Sequence, residues 1–276
     1  MKLEKIKYKI SHQLPFLRIP KRVLYAMSYY NKKYVEILKW GIRSKETANY
    51  TYDLTQGNLL YLAQTIAVVT RVDSKKILDY INEARNNKEL KQHIIDATLK
   101  SPHKEYADLR VDFGRRLGWY AFARTLKPKI IVETGVDKGI GSVLLCSALL
   151  KNKEEGYEGH FFGTDINPEA GYLLTGKYAE VGEILYGDSI KTLSQFTEKI
   201  DLFINDSDHS KDYEFREYIT IKDKISDKAV LLGDNSHISD KLAIFSNETN
   251  RNFLFFREEP DGHWYPGAGI GISFKS

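Results

Sequence analysis

Two short stretches set oxygen and nitrogen ligands at spacings that chemistry can use. In "FINDSDHSKDYEFREY" an apolar run ends at Asp206, with Asp208 and His209 just behind it. In "LLGDNSH" another ends at Asp234 and Asn235, followed by His237. One helix-like segment separates the two runs, so they belong to consecutive strand ends and can converge. Two carboxylates and an amide carbonyl make the all-oxygen set that suits Mg²⁺, with Ca²⁺ or Mn²⁺ also open. No HExxH motif or Cys/His pair suggests zinc. A histidine three positions beyond the first acid suits proton removal near neutral pH, its unperturbed pKa being about 6.5. Asp208 is open to three roles: orienting His209, supplying a further ligand, or capping the helix that follows.

A third stretch, "IVETGVDKGIGSVLLC" (131–146), runs from an apolar segment through Glu133 into Gly135, Gly139 and Gly141, then resumes as an apolar helix. Such a turn lets backbone N–H groups approach a ligand with no Cβ in the way. A dinucleotide fingerprint would need a glycine where Leu144 stands. Glu133, Asp165, Asp188, Asp206 and Asp234 each close a strand-like run. One such acid would mean little, because Asp is common in turns. Five in order predict a gathering at the carboxyl edge of one parallel sheet, where ligands of open α/β folds bind.

The elements that must carry these residues change character partway along the chain. Residues 1–125 read as helical: Leu59, Leu62, Ala63 and Ile66 recur at helical spacing, Asp73 and Ser74 begin a capped helix, and "RRLGWYAFARTL" ends at Lys127-Pro128. From 126 to 276, short apolar runs alternate with helical segments, which predicts a parallel sheet of βαβ units. "RNFLFFREE" and "GAGIGISFK" complete seven strands as a terminal antiparallel hairpin. The expected fold is therefore an α/β, Rossmann-like seven-stranded sheet behind a helical N-terminal region. The hairpin loop carries His263, Trp264 and Tyr265, which could line an acceptor pocket with His237 nearby, or simply pack on a neighbouring helix. The polar stretch 48–58, "ANYTYDLTQGN", could cover a cofactor or serve as a helix-capping connector.

Composition bounds these readings. The chain has 276 residues, 42% apolar and 28% charged, as expected of a globular protein. It has no apolar run long enough to span a bilayer and no secretory leader pattern, so a cytoplasmic location is expected. The lone cysteine, Cys146, excludes an internal disulfide and lies where burial is expected. The net charge of +4 hides a basic arm: residues 1–40 hold ten Lys/Arg against two acids. That arm could rest on an anionic membrane surface, reach an anionic substrate or RNA, or pack on its own domain or a second subunit. The modest total charge weighs against nucleic acid.

The spaced glycines behind an acid resemble the first motif of class I S-adenosylmethionine-dependent methyltransferases. The resemblance covers 129–274 and departs at Asp137, which stands where many members have the middle glycine. It implies that Glu133, Gly135, Asp137, Gly139 and Gly141 hold the amino-acid end of S-adenosylmethionine. It further implies that Asp165 in "GTDINPEA" accepts from the ribose hydroxyls, and that Asp188 and Ser189 in "YGDSIKTL" lie near the adenine. The later segments look like those of metal-dependent O-methyltransferases, the catechol-type enzymes and their sugar-modifying relatives. There the cation site maps onto Asp206, Asp234 and Asn235, and His209 stands where catechol-type enzymes place a lysine base. "GRRLGWYAFARTLKP" and "HWYPGAGIGI" are also similar to a bacterial group of class I methyltransferases. The function so implied is Mg²⁺-assisted methylation of a hydroxyl on a small polyhydroxylated acceptor, a sugar or natural product. The alternatives are a metal-independent methyltransferase of RNA or another macromolecule, and a non-catalytic protein that binds cofactor or membrane surface.

Overall fold

The computed structural model describes residues 18–48 and 51–275, which divide into two compact units. The first comprises helices α1 (Arg18–Ser28) and α2 (Asn31–Arg43) with the segment Gly262–Tyr265. Within it Lys33 Nζ donates to the His263 carbonyl at 2.6 Å, and the Trp40 and Trp264 rings pack 5.1 Å apart. Neither helix has a buried residue.

The second unit begins with α3 (Gln56–Thr70), α4 (Ser74–Arg85), α5 (Lys88–Lys100) and α6 (Arg116–Leu126). Thr55 and Asp73 cap α3 and α4, accepting from Asn58 and Lys75 N–H, as Ser/Thr/Asp caps do. Leu59, Leu62, Ala63 and Ile66 are buried, so the helical spacing read from the sequence marks a packing face. Helix α6 is buried from Leu117 to Arg124, around its whole circumference, as an interior helix must be. It ends at Lys127 in the left-handed region (φ 51°), ahead of Pro128.

The sheet follows: β1 (Ile130–Thr134), α7 (Ile140–Glu154), β2 (His160–Asp165), β3 (Gly182–Tyr186), α8 (Ser189–Gln195), β4 (Ile200–Asn205), α9 (Lys211–Ile221), β5 (Ile225–Gly233), α10 (Lys241–Glu248), β6 (Asn252–Arg257) and β7 (Gly269–Phe274). The spatial order is β3-β2-β1-β4-β5-β7-β6. The first five strands in that order are parallel, and β7 runs antiparallel between β5 and β6. The expected terminal hairpin is therefore present, and β6 points the same way as β5. Central strands read as unbroken apolar runs because helices cover both their faces. Thus Ile131, Val132, Leu202, Phe203 and Ile204 are all buried. Chain order reverses between β1 and β4, which makes that gap the topological switch point.

The helices of 56–126 pack within the same compact unit as the sheet, and that unit begins at Lys45. The reason is α6, whose buried surface faces α7 and α4 as part of the core. Cys146 is buried in α7, and burial raises its thiol pKa well above the ordinary value. Among the described residues no helix is long and apolar enough to cross a membrane.

Candidate active site

The glycine turn after β1 is fixed from both sides. Gly135, at φ 77°, lies against the Asp206 backbone, where any Cβ would overlap the carbonyl oxygen. Gly141 faces the Glu133 carboxylate just as closely. Asp137 adopts φ 46°, a left-handed conformation that Asp tolerates better than most residues, so it can stand where relatives carry glycine. Asp165 holds the turn in place: its Oδ2 accepts from Val136 and Asp137 N–H at 3.1 and 3.0 Å, and its Oδ1 from Asn167 N–H at 2.8 Å.

Glu133 points inward, is 2% exposed, and accepts from Ser142 Oγ at 2.8 Å. Burial pushes its pKa up to about 8, against the opposing pull of Ser142 and the Arg116 charge. Asp188 caps α8 through Lys191 N–H at 2.8 Å and accepts from Tyr213 Oη at 3.0 Å. Ser189 lies beside it, bonding to Tyr213 Oη and donating to Glu217.

The ends of β4 and β5 meet as expected, but around cations that the sequence reading did not assign. Arg115 grips Asp234 with both arms, Nε to Oδ1 and Nη2 to Oδ2, the latter at 2.7 Å. Its remaining nitrogen donates to Tyr52 Oη at 2.8 Å and to Glu258 Oε1 at 3.2 Å. Tyr52 in turn donates to Glu258 Oε2 at 2.8 Å, and Ala268 N–H closes the cluster on Glu258 Oε1 at 2.8 Å. Burial alone would raise the Asp234 pKa, but the Arg115 charge and hydrogen bonds outweigh it, and the carboxyl lies below its ordinary value. Asp206 moves the other way: burial first, then the Asp234 charge, hold it well above the ordinary value. The two neighbouring carboxyls are thus pushed in opposite directions, Asp206 toward its neutral form and Asp234 toward its charged one.

Arg116 approaches Asp206 only to 3.9 Å and lies over the Trp119 ring at 5.4 Å. Its side chain is 15% exposed and makes no hydrogen bond among the described residues. A guanidinium that retains its donors beside the glycine turn suits a carboxylate, and an ammonium placed against Glu133 would lower its raised pKa and draw it into the charged form. An amino-acid moiety carries both, so the residues present fit the methionine end of S-adenosylmethionine.

They do not fit a divalent cation in the same way. Both Asp234 oxygens are taken by Arg115, burial and the Asp234 charge favour the neutral form of Asp206, and Asn235 Oδ1 is bonded to His209 Nδ1 at 2.6 Å. A cation that needs these three oxygens would have to displace an arginine whose own partners are all buried. Of the Mg²⁺ set expected at Asp206, Asp234 and Asn235, Asp234 is thus held by a guanidinium and the Asn235 amide oxygen by a histidine.

The other expected residues fall as follows. His209 is exposed at the site edge, oriented by Asn235, not by Asp208. Asp208 accepts from Ser210 N–H at 2.6 Å within the loop; the N-cap of α9 is Ser210, and no side chain caps that helix. His237 bonds back to the Asp234 carbonyl at 3.2 Å within a short 3-10 turn. His263, Trp264 and Tyr265 are grouped with α2 in the first unit, where the packing reading applies. In the stretch 48–58, Asn49 and Tyr50 lie outside the described residues. The rest is a connector: Tyr52 is buried, Asp53 pairs with Arg85 and Thr55 caps α3.

Three functional contributors escaped the sequence reading. Arg115 and Arg116 stand at the start of α6, where a cation faces the positive end of the helix dipole. That unfavourable placement was the available signal for a buried acid nearby. Glu217 is fully buried and accepts from Thr134 Oγ1 (3.1 Å), Ser207 Oγ (2.8 and 2.9 Å), Asn205 Nδ2 and Ser189 Oγ. Its signal lay in α9, where Glu214 and Glu217 occupy the same helical stripe as buried Tyr218 and Ile221.

Strand order and glycine turn together are those of the class I methyltransferase fold. Residues 132–236, from within β1 to just past β5, match the family model described as a methyltransferase domain. Among solved structures, a methyltransferase from Geobacter sulfurreducens is 14% identical with a TM-score of 0.51, covering 67% of this chain and 90% of that one. An SAH-bound methyltransferase from Podospora anserina is 20% identical over 68% and 88%, with a TM-score of 0.48. The O-methyltransferase TomG from Streptomyces achromogenes, in complex with SAM, is 15% identical over 68% and 90%, with a TM-score of 0.47. No match to this chain was found among curated proteins.

Proposed function

We propose that the protein methylates a hydroxyl oxygen of a small polyhydroxylated acceptor, a sugar or natural product, from S-adenosylmethionine, with His209 as general base. The observation that carries this reading is the bond of His209 Nδ1 to Asn235 Oδ1 at 2.6 Å. With the amide oxygen as acceptor, the ring proton lies on Nδ1, and Nε2 is left with its lone pair in an exposed position. Bound at the glycine turn, the donor supplies a sulfonium methyl group in reach of a nucleophile. Nε2 takes the proton of the acceptor hydroxyl, and the oxygen so released forms the new C–O bond as sulfur departs with its electron pair. Arg116 pairs with the carboxylate of the donor, and Glu133, ionised by the incoming ammonium, holds the other end, which sets the methyl group relative to His209. The positive charge behind Asp234 comes from Arg115, so no step requires a metal, and the Mg²⁺ that the resemblance implies has no role in this reading.

Calorimetric titration with S-adenosylhomocysteine in excess chelator tests the donor site, with micromolar binding expected. A panel of diols, catechols and sugars then tests transfer. His209→Ala should lower kcat by about 10²-fold or more, the usual weight of a general base, while product affinity stays unchanged. Equal turnover in that variant would remove His209 from the chemistry.

A further inference from the structure

The first compact unit presents a surface that the methyl-transfer reading leaves unused. On α1, Ile19, Val23 and Met27 recur four residues apart, and on α2, Tyr34, Leu38 and Ile42 do the same, so each set forms one stripe of its helix. All six are exposed; Leu38 is 66% and Ile42 84% accessible. Scattered exposed apolar residues need no explanation, but two ordered stripes on successive helices do. Basic residues lie off these stripes, Lys21 and Arg22 on α1 beside exposed Leu24 and Tyr25, and Lys32, Lys39 and Arg43 on α2. Across 18–43 there are seven Lys/Arg and one acid, Glu36.

We infer that α1 and α2 form a docking face for an anionic lipid bilayer, lying in the interface with their apolar stripes inserted. Charge selects this occupant over a second copy of the chain. A two-fold pairing of the stripes would bring two strongly basic helix pairs together, whereas acidic headgroups complement them. At 11 and 13 residues the helices are too short to cross, since about 20 are needed, so they lie on the surface. The edge of α2 bearing Lys33 and Trp40 is held by His263 and Trp264, which leaves the Leu38–Ile42 side open. Nucleic acid would answer the charge but give the apolar stripes nothing to bury.

Co-sedimentation of the full chain with phosphatidylcholine vesicles, containing or lacking phosphatidylglycerol, tests this. The chain should sediment with anionic vesicles, far less with neutral ones, and release as salt shortens the screening length. Leu38→Glu with Ile42→Glu should weaken vesicle binding at least about tenfold. Both side chains are exposed, so the thermal midpoint should not move. Undiminished vesicle binding by the double variant would overturn the docking face. So would absence of vesicle binding with a concentration-dependent dimer, which points to a second copy. Absence of vesicle binding with salt-sensitive retention on RNA, untouched by the two substitutions, would also overturn it and point to nucleic acid.

Discussion

Arg115 and Asp234 form a two-armed ion pair at the end of β5, and it decides the chemistry of that edge. A bidentate guanidinium–carboxylate pair is geometrically strict, and here both partners are buried, so neither can be withdrawn cheaply. Arg115→Met would leave Asp234 and Glu258 together without their cation, and Asp234→Ala would leave Nε and Nη2 of the guanidinium without their acceptors. Each should cost about 3–5 kcal/mol, read as a lowered urea midpoint. Replacing both residues with apolar ones should recover part of that loss, because the desolvation penalty goes with the charges.

The same pair makes a prediction about metal. Because its carboxylate is already neutralised, the wild-type protein should give no calorimetric binding signal with Mn²⁺ or Mg²⁺, and methyl transfer should persist in excess chelator. Loss of transfer in chelator, restored by Mg²⁺, would mean that a cation displaces Arg115 during turnover.

The seven strands and the glycine turn were legible because they are local: apolar runs of strand length, punctuated by acids and glycines, need no partner to be recognised. The convergence of Asp206 with Asp234 followed from strand order alone. What filled the space between them did not, because Arg115 arrives from a helix far upstream in the chain and Glu258 from the far hairpin. Sequence spacing says which acids share an edge but not which cation neutralises them. Asp208 was ambiguous for a related reason, since a loop aspartate two residues before a helix N-terminus has the same appearance whether it caps or catalyses. The burial of α6 likewise merges the helical half with the sheet, a tertiary fact that no change of pattern near residue 125 announces.

Arg116 should set donor affinity. Its guanidinium is the cation beside the turn that still has its donors, and it stacks on Trp119, which fixes its plane. Arg116→Gln should weaken S-adenosylhomocysteine binding about tenfold or more, consistent with the loss of a charge-assisted hydrogen bond of about 1.5–3 kcal/mol. Arg116→Lys should recover only part of it, since an ammonium cannot reproduce the fork. Decarboxylated S-adenosylhomocysteine should bind wild type and Arg116→Gln alike; a difference between them would show that Arg116 acts elsewhere.

Glu217 should give the protein a dependence of stability on pH. Burial pushes its pKa up from 4.5 to about 7, although the hydroxyls of Ser189, Ser207 and Thr134 pull it down. A carboxyl whose pKa is higher folded than unfolded binds its proton more tightly in the native state. Its contribution is therefore complete below about pH 4.5, is lost as pH rises toward 7, and is flat above. The size of the loss is about 3 kcal/mol, at 1.36 kcal/mol per unit. Glu217→Gln mimics the protonated side chain and can still bond to these partners, so its unfolding free energy should not carry that slope. Urea melts of both proteins at intervals between pH 4.5 and 7.5 would show the difference between them widening by that amount. Parallel curves would mean that the four donor residues around Glu217 keep it ionised throughout, and the cluster at the ends of β1 and β4 would then be a buried anion site and not a protonated acid.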